Sequence, residues 1–188
     1  MTTLSLIFGY TATALSIIGF QLKKQWQIIL SQSISNLMVA LSYIVLDSSN
    51  MAGGIVCMVG ALHTFINFLF FRRDQMPPKV IKYIFLLLYL SSAAFTIYLA
   101  GSVNFPYDFI PPAASIFFLL GVSTKNPKIT RSFFFVNILF WITYDLLASP
   151  IALANLCTHL LTFASLVAGI IRYDILKKGE KTPEESNL

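Results

Sequence analysis

Seven apolar runs of membrane-spanning length, separated by short stretches that hold most of the charge, constrain this chain more than any other feature. They cover about Leu4–Gln21, Ile28–Leu46, Gly53–Phe71, Val80–Ala100, Phe109–Ser123, Ser132–Ala148 and Ile151–Ile171. A helix needs about 17–25 largely apolar residues to cross a bilayer core, and the fifth run is the shortest. With 56% hydrophobic and only 11% charged residues, 188 residues cannot clothe a water-soluble globule in polar groups. The expected fold class is therefore an all-α integral membrane protein with seven transmembrane helices, and its constant partner is the lipid bilayer. The first run has neither the basic n-region nor the small-residue cleavage site of a signal peptide, so it reads as a retained helix.

The positions of the basic residues set an orientation. Lys23 and Lys24 follow the first run, and Arg72, Arg73, Lys79 and Lys82 follow the third. Lys125, Lys128 and Arg131 follow the fifth, and Arg172, Lys177, Lys178 and Lys181 follow the seventh, which accounts for all 13. They occupy alternate connections only. The other side carries Asp47, Asp108 and the turn at Ser149–Pro150. Basic residues are retained on the cytoplasmic side, so this alternation places the N-terminus outside and the C-terminus inside. The net charge of +5 is then that of basic connections beside an anionic leaflet, and no nucleic-acid partner is expected.

The two halves of the sequence repeat. Asn36-Leu-Met-Val-Ala-Leu-Ser-Tyr43 matches Asn137-Ile-Leu-Phe-Trp-Ile-Thr-Tyr144, and after a one-residue deletion Cys57, Arg72 and Asp74 fall opposite Cys157, Arg172 and Asp174. Three-helix units of odd count keep one orientation only if a further crossing joins them, so the Val80–Ala100 helix is a connector and the repeat is parallel. The expected organisation is a first three-helix repeat over 1–74, a linker helix over 75–104, a second repeat over 105–176 and a charged tail over 177–188.

This 3+1+3 layout resembles the SWEET sugar transporters and their relatives among PnuC-type vitamin carriers and PQ-loop proteins. The sixth run carries the most specific part of that likeness, Asn137, Trp141 and Tyr144 followed by Asn155. Where the PQ-loop group has Pro-Gln, this chain has Phe20-Gln21, with Gly121-Val122 as the second-repeat counterpart. The whole chain, Gly9 to Arg73 above all, resembles small bacterial inner-membrane proteins of the YgjV type. That resemblance implies a multi-pass protein of the bacterial inner membrane, and the transporter likeness implies alternating-access passage of a small polar solute. The same helical layout also resembles the KDEL receptor, a peptide-recognising protein, so a non-transporting interaction protein is the alternative.

Polar side chains inside a bilayer cost free energy unless they face other helices or water, which makes their grouping informative. Asn137, Trp141 and Tyr144 lie at i, i+4 and i+7 and share a face, as do Asn36, Ala40 and Tyr43, and as do Asn155, His159 and Thr162. The candidate substrate-binding residues are thus Asn36, Asn137, Trp141, Tyr144, Asn155 and His159. Amides would bind a sugar-, nucleoside- or vitamin-like solute and Trp141 would wall it. The same groups can also tie helices together with no ligand, at roughly 1 kcal/mol or less per contact. His159 reads either as a proton acceptor or as a neutral interhelical partner. Asp145, the one acid within an apolar run, reads as a coupling site or as a side chain reaching the nearby outer surface. His63 and Asn67 read as a gate or a cap, and Pro111-Pro112 as a break in the fifth helix or as its start.

No catalytic motif is present, no cofactor is expected, and Cys57 and Cys157 lack metal-ligand spacing. Both cysteines read as small membrane-buried residues, and no disulfide between them is expected. Oligomeric state stays open between monomer and homo-oligomer. A reporter fused after Leu188 is expected in the cytoplasm, and a cysteine placed at Ser49 or Ser102 is expected to react with impermeant reagents from outside. Labelling of either position from the cytoplasm alone would overturn the helix count.

Overall fold

The computed structural model describes residues 3–46, 51–100, 107–147 and 153–176. The expected outer connections near Asp47, across 101–106 and at Ser149–Pro150, and the tail over 177–188, lie outside the described residues. All regular structure among the described residues is helical: α1 (Thr3–Phe20), α2 (Gln25–Leu46), α3 (Met51–Arg72), α4 (Lys79–Ala100), α5 (Ile110–Val122), α6 (Pro127–Leu147) and α7 (Leu153–Ile170). A 3-10 turn (Tyr107–Phe109) leads into α5, and a π-helical turn (Ile171–Ile175) continues α7. Four segments are long and apolar enough to cross a membrane on length and composition: Thr3–Phe20, Gln25–Val45, Gly53–Arg72 and Asn155–Ile175.

Local chemistry explains where the helices depart from the apolar runs. Asn126 Oδ1 accepts the Lys128 backbone N–H at 3.0 Å, a side-chain cap, and Pro127 follows it at the first helical position, so α6 starts before the apolar run does. Arg131, counted in sequence with the loop cations, consequently lies inside α6 and is buried. Proline occupies the first turn of α5, which settles Pro111-Pro112 as a helix start, where a missing N–H costs nothing. After α3, Asp74 adopts φ 55° while Asp74 N–H bonds Phe71 O at 3.1 Å and Gln75 N–H bonds Phe70 O at 3.0 Å. This is a Schellman turn with aspartate in the place that glycine usually takes.

Within the bundle α2 lies between α1 and α3, and α6 lies between α5 and α7. Contacts of α1 with α7 and of α3 with α5 join these two sets, while α4 packs on α3 and α5. Leaving α4 aside, exchanging α1, α2, α3 with α5, α6, α7 maps this contact pattern onto itself.

Burial is inverted relative to a water-soluble protein. Ile7, Ile18, Leu62, Leu87 and Leu161 face outward, whereas Thr13, Ser16, Ser35, Thr64, Asn67 and Thr162 are buried. Such a distribution suits a surface dissolved in lipid tails, where backbone and side-chain polar groups must be satisfied internally. Hydroxyl pairs join neighbouring helices: Ser5 with Ser42 at 3.1 Å, Ser16 with Ser35 at 2.6 Å, and Thr13 with Thr158 at 2.7 Å. Cys57 is buried within the bundle and Cys157 is exposed on its outer surface, both as free thiols. The reason is the face of α7 on which residue 157 falls, between exposed Leu153 and Leu160.

Close approach of α1 and α7 depends on Gly169, where an added Cβ would stand 2.9 Å from the Phe20 carbonyl oxygen. Backbone cannot yield as a side-chain tip can. Gly169→Ala is expected to destabilise the detergent-solubilised protein by about 1–3 kcal/mol. Gly60→Ala, whose Cβ meets nothing nearer than 3.5 Å, should be close to neutral in the same thermal melts.

Candidate functional site

All seven helices contribute to one internal cavity of about 60 Å³. Ser16 and Phe20 come from α1; Gln32, Ser35 and Asn36 from α2; Cys57 and Gly60 from α3; and Tyr89 from α4. Ser115 and Phe118 come from α5; Phe134, Asn137 and Trp141 from α6; and Thr158, His159 and Thr162 from α7. Asn36 and Asn137 stand near the middle of their helices, so the cavity sits at mid-depth in the bundle. Its volume has room for roughly four waters, well below the ~300–1,000 Å³ typical of ligand pockets.

The wall combines neutral polar groups with aromatic surface. Gln32 Nε2, Asn36 Nδ2 and Thr162 Oγ1 are buried and have no hydrogen-bond partner in the protein. A buried polar atom without a partner costs about 1–3 kcal/mol, so three on one cavity form a concentration of unmet hydrogen-bonding capacity. Asn137 is partly committed, since its Nδ2 donates to the Ala114 carbonyl at 2.8 Å and ties α6 to α5. Trp141 presents its indole beside His159, with ring centroids 5.8 Å apart and planes at 20°. Towards the opposite end, Phe134 packs edge-on to Phe20 at 5.6 Å and stacks on Phe118 at 5.4 Å.

Beyond those phenylalanines, the end that carries the basic connections is closed by polar contacts. Arg131 Nη1 donates to Asp174 Oδ1 at 3.0 Å, and Nη2 donates to the Leu22 carbonyl at 3.0 Å. The guanidinium also lies 5.1 Å from the centre of the Tyr173 ring. Gln25 Nε2 bridges Thr124 O and Thr130 Oγ1, Gln21 Nε2 reaches Ser165 O at 2.9 Å, and Lys125 pairs with Asp74 at 2.9 Å. The last pair is exposed and worth little, but it is what the strained Asp74 turn presents. Helices from both halves of the chain are clasped here.

At the other end Asp145 is fully buried. Tyr43 Oη donates to its Oδ1 at 2.9 Å, and His159 Nδ1 meets its Oδ2 at 2.5 Å. The expectation that Asp145 reaches toward the outer surface is therefore corrected. Its carboxylate lies on the inward face of α6 with Asn137, Ile138, Trp141 and Tyr144, where two partners from α2 and α7 satisfy it.

Of the residues singled out in sequence, Asn36, Asn137, Trp141 and His159 share the cavity wall. Tyr144 does not line it: its ring stacks on Tyr107 at 4.4 Å and meets Trp141 edge-on at 5.7 Å. Asn155 is also set back, accepting from Ser42 Oγ at 3.3 Å through Oδ1. His63 stacks on Phe85 at 4.3 Å and accepts or donates at Nδ1 with Tyr89 Oη at 3.4 Å, which anchors α4. Asn67 Nδ2 donates to Val122 O at 2.9 Å, a cap on the last turn of α5. Sequence reasoning missed Gln32, Ser16, Ser35, Ser115 and Tyr89. Gln32 lies one helical turn before Asn36 and could have been found by extending the α2 face backward; Tyr89 could not, because its place on the wall depends on which face of α4 meets α3 and α5.

A helical bundle with a lipid-facing exterior and a polar central cavity defines the class, a polytopic membrane protein. Within it, the chain belongs to the Imp-YgjV family of bacterial inner membrane proteins, whose family model matches residues 3–175. No curated protein and no solved structure matches significantly.

The clasp at the basic end carries a quantitative expectation. Asp174→Leu leaves buried Arg131 without its counter-charge and should destabilise by about 3–5 kcal/mol. Arg131→Met with Asp174→Leu removes both charges and should recover most of that loss. Additive damage in the double variant, measured by thermal melting in detergent, would show that the pair is not coupled.

Proposed function

We propose that the protein is a facilitative carrier of a small polar solute, working by alternating access in the bacterial inner membrane. The observation that carries this reading is the central cavity, built by every helix and lined by unpartnered amide and hydroxyl atoms beside an indole wall. Packing alone gives no reason for such atoms to gather around one space. Binding falls to Asn36, Asn137, Trp141 and His159, with Gln32 and Thr162 joining them, while Asn155 and Tyr144 support the wall from behind. The closed volume admits only a few heavy atoms, so a sugar-sized solute requires the bundle to open.

On this reading all seven helices cross the membrane, with the N-terminus outside and the C-terminus in the cytoplasm. Residues 1–74 and 105–176 are parallel repeats joined by the linker helix, in the manner of the SWEET and PQ-loop group. The exchangeable contact pattern of the two helix sets and the confinement of basic residues to alternate connections support it. A wall of neutral amides, hydroxyls and aromatic rings favours a carrier over an enzyme. The clasped basic end and the Asp145 layer are then the two gates.

Downhill flux into proteoliposomes, screened with small polyols, sugars, nucleosides and vitamins, tests the proposal. At least one solute should enter faster than in protein-free vesicles. Asn36→Leu should abolish both that flux and solute-induced thermal stabilisation, whereas Asn155→Leu should lower stability by about 0.6–2 kcal/mol and weaken flux only indirectly. Absence of flux across the panel, together with copurification of a partner, would instead favour a membrane interaction protein.

A further inference from the structure

We infer that the His159–Asp145 pair, capped by Tyr43, is a proton-binding site that couples the opening of the cavity to pH. The coupling to transport rests on the carrier reading; the proton site itself does not. Asp145 is the one acidic residue within the α-helices α1–α7, and it is fully buried with both carboxylate oxygens engaged. His159 is part of the cavity wall, so a single imidazole joins the carboxylate to the space where a solute would sit.

Charge accounting gives the site its character. A neutral imidazole beside an ionised carboxylate leaves one net negative charge. The titratable groups that face it are Tyr43 from α2, Cys57 from α3, Tyr144 from α6 and Tyr107 from the 3-10 turn, none of them a cation. Asp108, beside Tyr107, adds a further acid on that side. Every described lysine and arginine belongs to the opposite helix ends, at 23–24, 72–82, 125–131 and 172. An uncompensated charge in a closed, water-poor site is strongly disfavoured. One added proton makes the pair neutral, either as imidazolium with carboxylate or as imidazole with carboxylic acid. The Nδ1 to Oδ2 contact of 2.5 Å places both groups within reach of one shared proton.

Opening the cavity at this end admits water, which solvates the carboxylate, and the bound proton leaves to that water. The closed form therefore holds the proton more tightly than the open form. By linkage, acidification favours closure and raising the pH favours opening.

Trp141 reports on both events, because it stacks on His159 and lines the cavity. Trp26 packs against Phe68 at 6.3 Å, away from the cavity, so Trp26→Phe leaves Trp141 as the sole indole. In that protein, reconstituted in nanodiscs, quenching by the neutral probe acrylamide should rise several-fold as the pH is raised. Adding His159→Gln or Asp145→Asn should flatten that pH response. A pH-independent acrylamide response in the Trp26→Phe protein would overturn the inference, as would identical titration after His159→Gln. The first of these needs no change at the pair, so misfolding of either variant leaves the test intact. Solute flux with a flat pH response would leave a plain uniporter, whereas a titrating cavity without flux would defeat the carrier reading alone.

Discussion

Each polar side chain that these helices carry into the hydrocarbon layer has to find its partner inside the protein, because lipid offers none. That constraint organises the bundle. Ser5 with Ser42, Ser16 with Ser35, and Thr13 with Thr158 place hydroxyls in pairs across α1–α2 and α1–α7. Small residues let those helices approach, and Gly169 is the point where α7 would strike the backbone at the end of α1 if it bore a side chain. No hydrophobic driving force separates a lipid-facing leucine from a helix-facing one, so packing and these polar contacts decide which faces meet.

Two layers of stronger interaction bracket the central space. One joins Arg131, Asp174 and the Leu22 carbonyl, and so links α6, the π-helical turn after α7, and the connection between α1 and α2. The other joins Tyr43, Asp145 and His159 across α2, α6 and α7. Both bury charge, and breaking such a pair by removing one partner is costly. A bundle held in this way has discrete arrangements rather than a continuum, because a buried charge either keeps its partner or meets water. The mid-depth cavity lies between the layers, and Gln32 Nε2, Asn36 Nδ2 and Thr162 Oγ1 meet on its wall without a partner in the protein.

Much of the fold was legible because its causes are local. Apolar run length gave seven helices with ends close to those observed, and the largest discrepancy, at the start of α6, came from a cap at Asn126 and a proline at 127 that the hydrophobic pattern alone does not register. The site was legible in part. Spacing of i, i+4 and i+7 put Asn137 and Trp141 on one face, and the cavity lies on that face. The same spacing took in Tyr144 and Asn155, which are set back from it. Helical periodicity gives an azimuth, not depth, and it cannot tell which member of an inward stripe meets space and which meets another helix.

The sequence by itself determined the solvent and the helices, since apolar length and composition act within one segment and need no neighbour. Charge distribution along the connections likewise needs no tertiary information. Only the tertiary structure decided that Arg131 is a buried clasp and not a loop cation, that Asp145 turns inward to His159 and Tyr43, and that Gln32 and Tyr89 join the cavity. Those outcomes depend on which residue of a distant helix stands opposite. Residues 43, 145 and 159 are brought together by the packing of three helices, and no rule of spacing along one chain segment encodes that meeting.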